Sequence, residues 1–198
     1  MDSVQRLYQR QGAGRPPRVR WALEEAGASY EYVVMDDAEG NGPAHAERHP
    51  LGRVPVLETE AGLLFESAAL CLHIADSNPD ANLIAPLGTR ERAQTYQWVF
   101  FAMTELEQAM LRILAARHKD DVEAAASGER RMAKTAAALE QALDGNEFIV
   151  GGRFTIADIV LGGVLESARK YGTFPDSPVL LAYLERLDER PAKQLAYS

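Results

Sequence analysis

Proline stands at position 55, in a stretch (Val54-Pro55-Val56-Leu57-Glu58) that otherwise has the make-up of a strand. Proline cannot donate a ladder hydrogen bond and is confined to strand starts, edges and bulges, so a strand begins here. X-Pro bonds are also the main source of cis peptides in folded proteins, which makes Val54-Pro55 a candidate for one. Downstream, Glu60-Ala61-Gly62 reads as a hairpin turn, Leu63 to Phe65 as the returning strand and Glu66 to Ser77 as a helix. The start of that helix, at Glu66-Ser67, offers unbonded N–H groups and the positive end of a dipole, both suited to a carboxylate. A turned-out backbone at Val54 and an anion-receiving helix end at Glu66-Ser67 together suit the grip of a small peptide.

The rest of the chain changes character once. Before about Asn78, strands and helices alternate. Val4 to Tyr8 and Tyr30 to Met35 read as strands, and Ala44 to Arg48 as a short helix. Arg18 to Ala26 reads as a helix entered through Pro16-Pro17 and ended by Gly27. A βαβ unit followed by a ββα unit is the thioredoxin-like order. Asn78-Pro79-Asp80-Ala81-Asn82, with Pro86 and Gly88 beyond, is turn-forming and reads as a linker. Past it the periodicity is helical: Thr89 to His118 as one long helix with room for a kink, then Arg130 to Leu143, Thr155 to Tyr171 and Pro178 to Asp188. Thr155-Ile156-Ala157-Asp158 has the spacing of a capping box with Asp in the place of Glu, a structural device and not a catalytic one.

Composition narrows the class. The 198 residues are 46% hydrophobic and 25% charged, enough to bury a real core. A net charge of −8 argues against general nucleic-acid binding. No apolar run of about 18 residues is present, which predicts no membrane span, and the N-terminus lacks the apolar core of a signal peptide. A single cysteine excludes an internal disulfide and fits a reducing, cytoplasmic setting. No cluster of His, Cys, Asp and Glu has metal-ligand spacing, and Gly12-Ala13-Gly14 falls short of a dinucleotide fingerprint.

On Val54-Pro55 and Glu66-Ser67 the segment resembles the second half of the glutathione-binding domain of the cytosolic glutathione transferases. Phe154-Thr155-Ile156-Ala157-Asp158 resembles the helix-capping segment of that family's all-helical domain, and the likeness runs through nearly the whole chain in order and spacing. The resemblance implies an α/β thioredoxin-like N-terminal domain at residues 1–77, a linker at 78–88 and an all-α helical bundle domain at 89–198. It also implies glutathione as co-substrate, a small apolar electrophile as acceptor, and a homodimer. In that family the residue before the cis proline pairs its backbone with the cysteine of glutathione, and a Glu/Gln-Ser pair holds the γ-glutamyl carboxylate and amine. These roles fall on Val54 and on Glu66-Ser67. Arg53, whose planar guanidinium suits carboxylates, reads either as the partner of the glycine carboxylate or as a solvent-facing charge. His45 and His49 lie nearby, and as loop residues they read as solvated.

The reaction centre is the less determined part. A thiol of pKa about 8.5 is mostly protonated at neutral pH, and only the thiolate is a good nucleophile. The family supplies a hydroxyl or thiol near the end of the first strand to hold it. Residues 4 to 28 contain no Ser, Thr or Cys, and the only hydroxyl is Tyr8. Cys71 falls mid-helix and reads as a small core residue. Tyr8 is therefore the leading candidate, as in the family's tyrosine-type members. The alternative is the backbone N–H groups of Gly14 and Arg15 beside a helix N-terminus, where Arg15 either lowers the thiol pKa by its charge or is a solvated loop residue. On the long helix Tyr96, Phe100 and Met103 form an apolar stripe, continued by Leu111 and Leu114, that reads as core or as part of an acceptor pocket. The same site serves isomerase, dehalogenase, ether-cleaving and peroxidase chemistry, and a non-catalytic scaffold or interaction protein is the competing reading.

Overall fold

The computed structural model describes residues 4–198. Two compact units emerge, the first running to Leu83 and taking in Ala192–Ser198, the second spanning Ile84–Pro191.

The first unit is built on a four-stranded mixed sheet in the order β2-β1-β3-β4, with β1 at Gln5–Arg10, β2 at Tyr30–Met35, β3 at Val56–Thr59 and β4 at Gly62–Phe65. β1 runs parallel to β2 and antiparallel to β3, and β3 and β4 form the hairpin. The register sets Leu7 opposite Leu57 and Tyr8 opposite Val56. Alternation then gives the sheet two apolar faces. Leu7 and Leu57 are fully buried on one, while Tyr8 and Val56 pack with Met35 on the other.

Helix α1 (Pro16–Ala26) packs on α4 (Ser67–Ser77), with the buried Cys71 Sγ 3.7 Å from the Arg18 carbonyl. Two short helices, α2 (Asp37–Gly40) and α3 (Pro43–Arg48), follow β2. β1 occupies Gln5–Arg10, two residues beyond the Val4–Tyr8 reading, because pairing with β2 continues to Arg10↔Met35.

The second unit is helical: α5 (Arg90–Phe101), α6 (Glu107–His118), α7 (Val122–Leu143), α8 (Ile156–Lys170) and α9 (Pro178–Asp188), before α10 (Pro191–Ala196). The helix read as Thr89 to His118 is interrupted by a π-helical turn at Ala102–Leu106 that separates α5 from α6. α8 is buried without a break from Ile156 to Leu165, so it forms the centre of this unit. The capping box is present, and Asp158 does more than cap. It accepts hydrogen bonds from the Thr155 and Ile149 amides (2.8 and 2.9 Å) and from the Tyr183 hydroxyl (2.8 Å), tying the start of α8 to the preceding turn and to α9.

α7 begins at Val122, eight residues before Arg130, capped by Asp121 accepting from the Ala124 amide. Gly128, a residue that disfavours a helix interior, lies in the added turns ahead of the expected start at Arg130. Here it is a close-approach residue: a Cβ at this position would lie 2.8 Å from Ile113 Cγ1 and 3.2 Å from the Ile113 amide nitrogen.

Candidate functional site

The segment from Leu51 to Pro55 is fixed from below by three side chains. The Val54-Pro55 bond is cis. His45 Nε2 lies 3.0 Å from the Arg53 carbonyl, and since a carbonyl only accepts, that nitrogen carries the proton. His49 Nδ1 accepts from the Leu51 amide at 3.0 Å, and its ring packs on Phe65 at a centroid distance of 4.8 Å. Arg10 donates to the Gly52 carbonyl (3.0 Å) and to Asn41 Oδ1 (3.1 Å). Both histidines are therefore buried and structural, contrary to their reading as solvated loop residues. Burial pushes the His45 imidazole below its ordinary value and so favours the neutral ring that this hydrogen bond uses.

Arg10 was not singled out from the sequence. The signal that bears on it is Gly40, where an added Cβ would displace the Arg10 guanidinium from its present position.

Above this scaffold lies a depression of about 280 Å³ lined by Arg10, Ala13, Gly14, Arg15, Gly52, Arg53 and Val54. It joins the loop after β1 to the segment before the cis proline, bringing together Gly14, Arg15, Arg53 and Val54. Arg15 is the N-cap residue of α1, and Pro16 and Pro17 occupy the first turn. Prolines have no N–H, so amide donors on this side come from the loop and from Arg18 onward.

Glu66 and Ser67 open α4. Glu66 adopts φ 71°, ψ 105°, a positive φ rare for a residue with a side chain and costing about 1–3 kcal/mol. Ser67 is only 1% exposed, and its hydroxyl oxygen is buried with no hydrogen-bond partner. An unmet buried hydroxyl also costs about 1–3 kcal/mol. Two unfavourable features at adjacent residues, at a helix N-terminus, are what a site prepared for an anionic ligand looks like.

Tyr8 is placed differently. Its hydroxyl donates to Glu58 at 2.6 Å, and the Arg48 guanidinium lies 4.4 Å from its ring centroid. Its ring packs with Met35 and Val56 and does not line the depression. Burial, with the Glu58 hydrogen bond, raises the phenol above its usual pKa. Cys71 is fully buried and its thiol is pushed up to about 12, the mark of an inert core residue. On the long helix Phe100 is exposed, while Tyr96 accepts from the buried Arg92 at 2.7 Å. Among the described residues there is no group of three or more His, Cys, Asp or Glu side chains arranged to hold a metal ion, and no helix is long and apolar enough to cross a membrane.

Comparison with known proteins agrees with this architecture. Residues 3–76 match the model of the glutathione S-transferase N-terminal domain and residues 101–186 that of the C-terminal domain. Glutathione S-transferase GstA of Escherichia coli O157:H7 is 30% identical over 181 residues, covering 89% of each chain. The chain belongs to the glutathione S-transferase family, with the thioredoxin-like N-terminal and helical C-terminal domains of that fold. A solved sphingomonad glutathione S-transferase, in complex with glutathione, superposes with a TM-score of 0.83 at 30% identity, covering 96% of both chains. A probable elongation factor 1-gamma 2 from Arabidopsis thaliana is 36% identical over 124 residues, which cover 60% of this chain and 29% of that protein.

Proposed function

We propose that this protein is a glutathione transferase. Glutathione lies across the first unit, and its thiolate is conjugated to a small apolar electrophile. The observation that carries this reading is the buried, unpartnered Ser67 hydroxyl at the head of α4, beside a Glu66 held at positive φ. A γ-glutamyl carboxylate accepting from Ser67 Oγ and the first amides of α4 supplies the missing partner, and the Glu66 carboxylate meets the α-amine. The Val54 backbone pairs with the cysteine residue, and Arg53 meets the glycine carboxylate. The sphingomonad relative, solved in complex with glutathione, supports glutathione as the ligand.

The thiol proton leaves to solvent, the thiolate attacks the electrophilic carbon, and the leaving group departs with its electron pair. What favours the Gly14-Arg15 loop over Tyr8 as the thiolate holder is that the Tyr8 proton is already given to Glu58 in a phenol made less acidic by burial. The loop lines the depression next to Val54. Amide donors and a nearby guanidinium stabilise a thiolate without a hydroxyl.

The test is thiolate absorbance of bound glutathione together with conjugation of a chlorodinitrobenzene acceptor. Tyr8→Phe keeps both, and Arg15→Ala lowers both. Loss of both in Tyr8→Phe returns the role to Tyr8. The match to elongation factor 1-gamma favours a second reading, a glutathione-transferase-like interaction module. Absence of conjugation with a range of electrophiles, despite glutathione binding, selects it.

A further inference from the structure

The second unit contains its own cavity, of about 400 Å³, between α6, α7 and the loop that follows α8. That volume suits one small organic molecule. Its floor is apolar and belongs to the folded core: Ile113, Met132 and Ala136 are nearly inaccessible, and Phe174 is half-buried at one wall. The wall formed by Gly172 to Asp176 is pinned. Thr173 donates its amide to the Ala168 carbonyl at 2.9 Å, and Gly172 takes the left-handed conformation at φ 65°. The cavity is thus preformed, independent of the residues proposed for glutathione.

Its charge is one-sided. Arg117, the only cation in the lining, is already engaged, donating to the Gly172 carbonyl at 3.0 Å and to Glu129 at 3.4 Å. Glu140 and Asp176 also line the cavity, and among the described residues neither side chain has an ion pair or hydrogen bond. One guanidinium against three carboxylates leaves two negative charges over an apolar floor. An apolar anion is repelled by this arrangement, and a neutral ligand gains no charge pairing from the carboxylates.

We propose that this cavity binds an amphiphilic organic cation, its apolar body on Ile113, Met132, Ala136 and Phe174 and its ammonium or iminium nitrogen toward Glu140 and Asp176. An aromatic body gains further from the Phe174 ring. The carboxylates select the sign of the ligand and the floor supplies most of the affinity.

The test uses acridine orange as the cationic probe and anilinonaphthalene sulfonate as the apolar anion, each titrated by fluorescence. Wild type is compared with Glu140→Gln/Asp176→Asn and with Ala137→Trp, which fills the cavity from an exposed helix position. Wild type is expected to prefer acridine orange, and the double variant to bind it about tenfold more weakly at low salt with no loss for the sulfonate. Ala137→Trp abolishes acridine orange binding, while glutathione affinity stays unchanged in both variants. Circular dichroism confirms the fold of each. Preference for the sulfonate, or equal acridine orange affinity in all three proteins, overturns the proposal.

Discussion

At the scale of single residues, Ser67 separates binding from folding. A buried hydroxyl normally stabilises through its partner, but here there is none, so its removal takes nothing from the folded chain. Ser67→Ala is therefore expected to leave thermal stability within about 0.5 kcal/mol of wild type, or slightly above it. The same change is expected to weaken glutathione by about 1.5–3 kcal/mol, roughly tenfold to a hundredfold, the worth of a hydrogen bond to a charged group. A clear loss of stability in thermal unfolding would show that the hydroxyl has a structural partner after all. Pro55 and Glu66-Ser67 were readable in the sequence because the chemistry of proline and of helix starts is local. The directions of His45, His49 and Tyr8 were not. Each is fixed by a partner distant in the chain or by burial in the fold: Arg53 for His45, Phe65 for His49 and Glu58, 50 residues on, for Tyr8.

At the scale of elements, periodicity and turn chemistry gave the alternating first half and the helical second half, and the family model matches both. The start of α7 escaped because Gly128 carries two meanings. In an isolated helix it costs about 1 kcal/mol relative to alanine, which argues for a break. Between two packed helices the missing Cβ is the requirement, with Ile113 only 2.8 Å from where it would stand. Gly128→Ala sets these effects against each other. The helix gains about 1 kcal/mol, but a methyl forced against a β-branched, fully buried side chain and a backbone nitrogen costs about 1–3 kcal/mol. Net destabilisation of about 1 kcal/mol is expected in urea unfolding. A stabilised variant would mean that α6 and α7 separate at little cost.

At the scale of the molecule, the feature with no sequence signal is the return of Ala192–Ser198 to the first unit. There Tyr197 meets the fully buried Trp21 edge-on at 6.4 Å, and Lys193, itself buried, lies 5.5 Å from the Trp21 ring. The segment is short and only weakly patterned, and what it packs against lies some 170 residues earlier in the chain. Deleting residues 192–198 in a Trp98→Phe background should expose Trp21, red-shifting its emission and costing about 2–4 kcal/mol from lost aromatic pairing and apolar burial. An unchanged emission maximum would mean that Trp21 is covered by other residues.

The central claim concerns the whole protein: that the segment before β3 and the head of α4 together hold glutathione. Calorimetric titration of glutathione into wild type and into Glu66→Ala/Ser67→Ala tests it most directly. The account predicts a dissociation constant between about 1 μM and 1 mM for wild type, the ordinary range for an enzyme and its substrate, and no measurable heat for the double variant. Absence of binding to wild type, or equal binding to both proteins, would contradict it.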